Sequence, residues 1–244
     1  MNHDKMILAM WSGPRNLSTA MMRSFAQRPD TQVWDEPFYA AYLAATGLAH
    51  PMREEVILDG IADAGAVAQA CLAPPGDGKR VFYQKHMTHH MLPQFDTGFI
   101  SQLVNAFLIR SPERVLASYV RKHEQVGAED IGLRMQRQLF EREADRLGHA
   151  PPVVDSTDIR ENPAATLRGL CEALGIGFTP AMLTWKPGPA PEDGIWGRHW
   201  YDAIWKSTGF APPDQTTEEL PRHLAEIADA VRDDYEYLRA FAIR

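Results

Sequence analysis

Lys5-Met6-Ile7-Leu8-Ala9-Met10 runs into Trp11-Ser12-Gly13-Pro14-Arg15-Asn16 and then into Leu17-Ser18-Thr19-Ala20-Met21, and this stretch decides the fold. Lys5–Met10 is a short apolar run that stops at Ser12-Gly13-Pro14, the pattern of a buried strand ending in a loop. From Leu17 to Arg28 the apolar residues Leu17, Met21 and Phe25 recur at i, i+4 and i+8, a helix stripe closed by Pro29. A buried strand, a polar loop and an amphipathic helix in that order form the first half of a βαβ unit. Units of that kind assemble into parallel sheets.

The rest of the chain repeats the alternation. Gln32–Trp34, Arg80–Gln84, Asn105–Ile109 and Pro152–Asp155 read as further strands. Helices are expected over Glu54–Leu72, Glu113–His123, Ile131–Leu147 and Pro163–Leu174, the last carrying Leu167, Leu170, Cys171 and Leu174 on one face. A segment rich in Pro, Gly and Trp, Trp185 to Gly209, cannot be one regular element. An amphipathic helix over about Glu218–Phe241 ends the chain. The expected fold class is α/β with three layers around a mainly parallel sheet. Residues 1–244 are read as one domain, with 185–210 and 218–241 as appendages.

With 45% hydrophobic residues the chain can fill a core, and its composition is unlike that of disordered chains. Its 32 acids against 25 Lys and Arg give a net charge of −7, which argues against nucleic acid as a partner. Most of that excess lies in Ala190–Arg244, so a small anion can still bind in the nearly neutral remainder. Met6–Trp11 is too short for a signal-peptide core, and no run reaches the ~20 apolar residues of a membrane helix. Cys71 and Cys171 read as buried free thiols. The expectation is a soluble, cytoplasmic protein that touches no membrane.

Parallel sheets bind ligands beyond the carboxyl ends of their strands. After the first strand, Ser12, Gly13, Pro14, Arg15, Asn16, Leu17, Ser18 and Thr19 combine the open N–H groups of a helix start with hydroxyls and one arginine. That combination suits an anion. Ser18 or Asn16 could equally be a helix cap. No Lys occupies the loop and the spacing is not that of a Walker A motif, so an ordinary ATP-dependent kinase is disfavoured. After a later strand, Arg110 precedes a Pro112-started helix that carries Ser118 eight residues on. An arginine and a hydroxyl so placed can grip one phosphate from two sides.

Pro14-Arg15-Asn16-Leu17-Ser18-Thr19 resembles the 5′-phosphosulfate loop of sulfotransferases, commonly Pro-Lys-Ser-Gly-Thr-Thr. These enzymes use 3′-phosphoadenosine 5′-phosphosulfate (PAPS). Here Arg15 stands for the Lys and Leu17 for the Gly. The Arg110…Ser118 segment is similar to the family's 3′-phosphate motif. The run Asp155–Gly175 is similar to its Tyr-Glu-Asp-Leu…Asn-Pro…Thr-Leu…Leu-Gly-Ile stretch, with Ser156 where the family has Tyr. The resemblance spans Ile7 to about Phe178. It implies a P-loop-like sulfotransferase fold, PAPS as co-substrate, adenosine 3′,5′-bisphosphate (PAP) as product, no metal, and donor contacts from the loop, Arg110 and Ser118.

Transfer of a sulfuryl group asks for charge stabilisation at the leaving oxygen and a base for the acceptor. Arg15 and Lys85, the latter at a strand end similar to the family's Lys-Thr-His, are candidates for the charge. Glu36, in Asp35-Glu36-Pro37-Phe38, competes with His86 for the base, Glu36 being favoured. Three residues here could also be structural: Asp35 a cap, Glu36 an ion-pair partner, Lys85 an exposed strand end. His86, His89 and His90 lack further ligands for a metal. Arg198 and Lys206 resemble a late segment that closes over the 3′-phosphate. The aromatics around them suit a lid and, if exposed, leave a homodimer open. The reading is a PAPS-dependent sulfotransferase acting on a hydroxyl or amine of a small molecule. A non-catalytic nucleotide-binding module and an atypical P-loop kinase are the alternatives.

Overall fold

The computed structural model describes residues 5–119, 126–213 and 220–244. β1 (Met6–Ser12), β2 (Thr31–Asp35), β3 (Val81–Met87), β4 (Val104–Ile109) and β5 (Val153–Asp155) make one sheet in the order β2-β3-β1-β4-β5. All four pairings are parallel. The α/β class and the parallel sheet expected from the alternation are therefore present.

Helix α1 (Ser18–Ala26) links β1 to β2, and α2 (Tyr39–Thr46), α3 (Arg53–Asp59) and α4 (Ala64–Cys71) lie between β2 and β3. After β4 come α5 (Pro112–Tyr119), α6 (Ala128–Ile131) and α7 (Leu133–Leu147). After β5 come α8 (Ser156–Glu161) and α9 (Pro163–Ala173). The late segment holds two single-turn helices, α10 (Gly197–Trp200) and α11 (Asp202–Trp205), before α12 (Arg222–Ala230) and α13 (Arg232–Arg239).

Strand side chains alternate between the two faces of the sheet, and the two cores follow that period. Leu8, Met10, Tyr83, Ala106 and Leu108 pack under α1 and α9. Ala9, Trp11, Phe107 and Ile109 pack on the other face with α4, α7, α12 and α13. These are the three layers.

The expected helix over Glu54–Leu72 is two helices. Gly60 lies so close to α2 that a Cβ on it would sit 2.6 Å from the Ala40 Cβ, and Asp63 starts a new helix by accepting from the Ala66 N–H at 2.7 Å. The terminal helix is likewise broken, at Val231, whose φ of −121° leaves the helical region. Helices α2 and α8 had no counterpart in the sequence reading. Residues 120–123 and 218–219 of two expected helices lie outside the described residues. Cys71 and Cys171 are free and buried.

Candidate functional site

One cavity of about 690 Å³ opens at the carboxyl ends of β1, β3 and β4. Its outer end is built by the loop between β1 and α1. Pro14, Arg15, Asn16, Leu17, Ser18 and Thr19 all line it, together with Arg110 and Ser118. The two anchors, about a hundred residues apart, meet directly. Arg15 Nε donates to Ser118 Oγ at 3.1 Å, and Arg110 Nη1 donates to the Arg15 carbonyl at 2.6 Å.

Neither Ser18 nor Asn16 caps α1. Its N-cap position is Leu17, in the left-handed region at φ 57°, with no side-chain cap and no acidic residue in the first turn. The N–H groups of that turn therefore point toward the cavity without a side-chain acceptor. Asn16 turns inward: its Nδ2 donates to the Leu108 carbonyl at 2.6 Å, and its Oδ1 accepts from Ser156 Oγ at 2.6 Å. Asn16 thus contributes backbone and a pin, not a side-chain contact. Ser156, at the family's Tyr position, is the other half of that pin.

Ser12 and Gly13 do not line the cavity. Ser12 is buried with Oγ against Met87 Sδ at 3.7 Å, and a Cβ on Gly13 would meet the Ile131 carbonyl oxygen at 2.1 Å. Gly13 is needed for close packing on α6 rather than for a ligand. Both corrections follow from one cause: the chain reaches the cavity only after Pro14.

The inner end is organised by Lys85. In the sheet register Lys85 lies beside Asp35 on β2, so both project on one face. Lys85 Nζ donates to Asp35 Oδ1 at 2.8 Å, Glu36 Oε1 at 2.6 Å and Tyr201 Oη at 2.8 Å, and it is 1% exposed. Burial alone would disfavour its charge. Asp35, Glu36 and Tyr201 overcome that and hold the ammonium well above the ordinary lysine range. Burial pushes the Glu36 carboxyl up, Lys85 pulls it down, Asp35 pushes it up again, and the result stays above the ordinary carboxyl range. Asp35 is therefore a partner of Lys85 and not a cap. Its Oδ2 also accepts from Tyr201 Oη at 2.6 Å and from the Gly194 N–H at 3.1 Å.

His86 does not share this site. Being next to Lys85 on a strand, it projects from the opposite face, where it stacks on Trp11 with ring centroids 4.4 Å apart. Its Nε2 pairs with Gln84 Oε1 at 3.0 Å, and burial pushes its pKa down to about 3. The alternation of a single strand removes it as the base. His89 and His90 do line the cavity. No group of three or more His, Cys, Asp or Glu placed to share a metal ion occurs among the described residues.

Arg198 and Lys206 are also placed elsewhere. Both are exposed and neither lines the cavity. Arg114 and Arg160 line it instead. Arg160 donates to the Pro212 carbonyl through Nη1, while its buried Nε has no partner among the described residues. Neither was singled out from the sequence: Arg114 lies in the first turns of the helix that follows Arg110, a signal that could have found it, and Arg160 had no signal of its own. Tyr39, Tyr42, His50 and Trp200 complete the inner wall. Tyr39 and Tyr42 stack on His90 at 4.9 and 4.8 Å.

The late segment is fastened from both sides. Asp193 pairs with Arg23 at 2.6 Å, both side chains nearly fully buried, and accepts from Trp205 Nε1 at 2.9 Å. Tyr201 Oη accepts from Trp196 Nε1 at 3.1 Å. The segment is a wall of the cavity, tied to the lysine at its floor. No helix among the described residues is long and apolar enough to cross a membrane.

A family described as a sulfotransferase domain matches residues 6–240. Two curated proteins of Arabidopsis thaliana are similar to the chain. Branched-chain-amino-acid aminotransferase-like protein 1 is 36% identical over 234 residues, and branched-chain-amino-acid aminotransferase-like protein 2 is 34% identical over 233. Each alignment covers 96% of this chain but 42% and 41% of those proteins, so the chain spans about two fifths of their length. Among solved structures, a sulfotransferase from Alicyclobacillus acidocaldarius matches with a TM-score of 0.54 at 14% identity, covering 97% of this chain and 95% of that one. The sulfotransferase domain from the curacin biosynthetic pathway matches with a TM-score of 0.51 at 15% identity, covering 93% and 98%. At such identities the structural likeness is one of fold.

Proposed function

The chain belongs to the sulfotransferase domain family, and from that premise we propose that it transfers a sulfuryl group from PAPS to a hydroxyl or amine of a small-molecule acceptor. The observation that carries this reading is a single cavity with a cationic cradle at one end and a lysine–carboxylate pair at the other. PAPS has two separate anionic groups, and the outer end offers two matching sets of donors. Arg15 and the uncapped first turn of α1 suit the phosphosulfate; Arg110 and Ser118 suit the 3′-phosphate, with Arg114 and Arg160 beside them. The buried Arg160 Nε, without a partner among the described residues, is a donor of the kind an anion would satisfy.

At the inner end the chemistry divides between two side chains. As the acceptor oxygen or nitrogen bonds to sulfur, its proton passes to Glu36. The sulfur–oxygen bond to the 5′-phosphate breaks, and its electron pair leaves on the phosphate oxygen. Arg15 and the open N–H groups of α1 serve as fixed positive charge for that oxygen, while Lys85, whose three ammonium donors are all given to Asp35, Glu36 and Tyr201, holds the Glu36 carboxylate in place. Uptake of a proton by Glu36 leaves one carboxylate facing one ammonium, a neutral buried cluster, which favours Glu36 as base.

Thermal denaturation with PAP against ATP and AMP tests the donor. PAP at about 100 times its Kd is expected to stabilise by about 2.7 kcal/mol, or roughly 5–10 °C for a chain of this size. Arg110→Ala is expected to remove the preference for the 3′-phosphate. Equal shifts with AMP and PAP would overturn the assignment. Transfer of labelled sulfate from PAPS across an acceptor panel then separates an enzyme from a module that binds without turnover.

A further inference from the structure

Resting on that reading of the site, we infer that its inner half selects a 1,2-amino alcohol, whose protonated amine is recognised by Glu36 and His90 and whose neighbouring hydroxyl is close enough to the same Glu36 carboxylate to give up its proton there.

Charge comes first. Two carboxylates, Asp35 and Glu36, surround one ammonium, Lys85, at 2.8 and 2.6 Å. The fourth member of the cluster is the Tyr201 hydroxyl, which stays neutral because burial and Asp35 push its ionisation well up. Asp35 and Lys85 are buried and Glu36 is only 12% exposed, so water screens the cluster poorly. One negative charge is left over at the cavity floor. The other buried pair nearby, Arg23 with Asp193, is already balanced.

Unused hydrogen-bonding capacity points the same way. His90 is 2% exposed and lines the cavity, and neither its Nδ1 nor that of His89 has a hydrogen-bond partner among the described residues. The Nε2 of His90 faces Glu36 Oε2 at 4.0 Å. A carboxylate on that side favours the proton on Nε2 and leaves a lone pair on Nδ1. A ligand that donates hydrogen bonds fits there, and a carboxylate does not. Burial keeps His89 and His90 below the ordinary histidine range, so neither adds a repelling charge. The walls are aromatic, from Tyr39, Tyr42 and Trp200, and such walls attract cations. Asp130 lies close enough to Tyr42 to push its phenol up, behind the effect of burial, and adds a carboxylate to the lining.

Calorimetric binding of three alcohols of one shape and different charge tests this: 2-amino-1-phenylethanol, 1-phenylpropan-1-ol and 3-hydroxy-3-phenylpropanoate, each with the PAP-saturated protein and with the free protein. The amino alcohol is expected to bind about tenfold or more tighter than 1-phenylpropan-1-ol, with the anionic alcohol weakest. Glu36→Gln is expected to bring that preference below about threefold while the PAP-induced thermal shift is kept, and Asp130→Asn, at an exposed position, to weaken it by about twofold. Equal affinities across the series, no measurable binding of the amino alcohol, or a preference that survives both Glu36→Gln and His90→Gln would overturn the inference. PAP binding without an amine preference removes this inference alone. An amine preference without PAP binding removes the donor assignment and leaves the amine site standing.

Discussion

Acidification from about pH 7 to about pH 5.5 is expected to remove on the order of 2–4 kcal/mol of folding stability. The cause is three imidazoles buried in their neutral form. His86 is pushed down to about 3 and His89 to about 4, both chiefly by burial, and His90 is held well below its ordinary value of 6.5 for the same reason. In the unfolded chain these groups take up protons below about pH 6.5; in the fold they do not. Their contribution is therefore complete above that pH and is lost as pH falls. Over this interval each histidine contributes about 1.2 kcal/mol to the loss, and three contribute somewhat under ~4 kcal/mol. Glu36 acts in the opposite sense: its folded carboxyl is raised above 4.5, so below its folded pKa the fold binds the extra proton. That group returns at most about 2 kcal/mol across the same interval. Urea unfolding at the two pH values measures the difference directly. A midpoint that is flat or rises on acidification would refute the claim that these imidazoles are both buried and neutral, and His86→Gln is expected to remove about a third of the histidine contribution.

Tyr201→Phe deletes a hydroxyl that bridges Lys85, Asp35 and Trp196, leaving a buried indole N–H without its acceptor. It is expected to cost about 2–4 kcal/mol and to lower kcat for sulfate transfer while the PAP-induced thermal shift is unchanged; an unaltered kcat would show that Tyr201 does not position Lys85. Gly13→Ala places a methyl 2.1 Å from the Ile131 carbonyl oxygen, a backbone atom that cannot turn aside. A loss above about 2 kcal/mol in urea unfolding is expected, and a change below about 0.5 kcal/mol would mean that α6 is free to move away.

The alternation of short apolar runs with helical stripes made the sheet and its layers legible, because burial on both faces of a parallel strand leaves little room for polar residues. Arg15, Arg110 and Ser118 were legible for a different reason: the end of each strand fixes where the next residues must project. What a linear pattern cannot carry is contact between distant segments. Nothing in Glu54–Leu72 announces that Gly60 must pass against Ala40, so two helices read as one. Nothing around Tyr201 announces that it ends beside Asp35, 166 residues away. His86 illustrates a signal that was present and outweighed. A strand read through Lys85 places its neighbour on the other face, whatever chemistry that neighbour could perform.

Strain marks the site more sharply than composition does. Four non-glycine residues have a left-handed backbone among the described residues, and three of them, Arg15, Leu17 and Glu36, line the cavity. Each costs about 1–2 kcal/mol relative to an ordinary conformation, so something must hold it. The holders are visible. The Arg110 guanidinium grips the Arg15 carbonyl, the Asn16–Leu108–Ser156 pin lies between Arg15 and Leu17, and Lys85 holds the Glu36 carboxylate. Leu17 occupies a conformation that glycine would adopt more cheaply, which explains how the loop keeps its path where the resembled motif has Gly. A loop pinned this way presents its N–H groups and arginine already oriented toward an anion. Under the proposed function, little reorganisation would then be left for the moment of transfer, and fixed charge of that kind is what stabilises a developing phosphate oxygen most effectively.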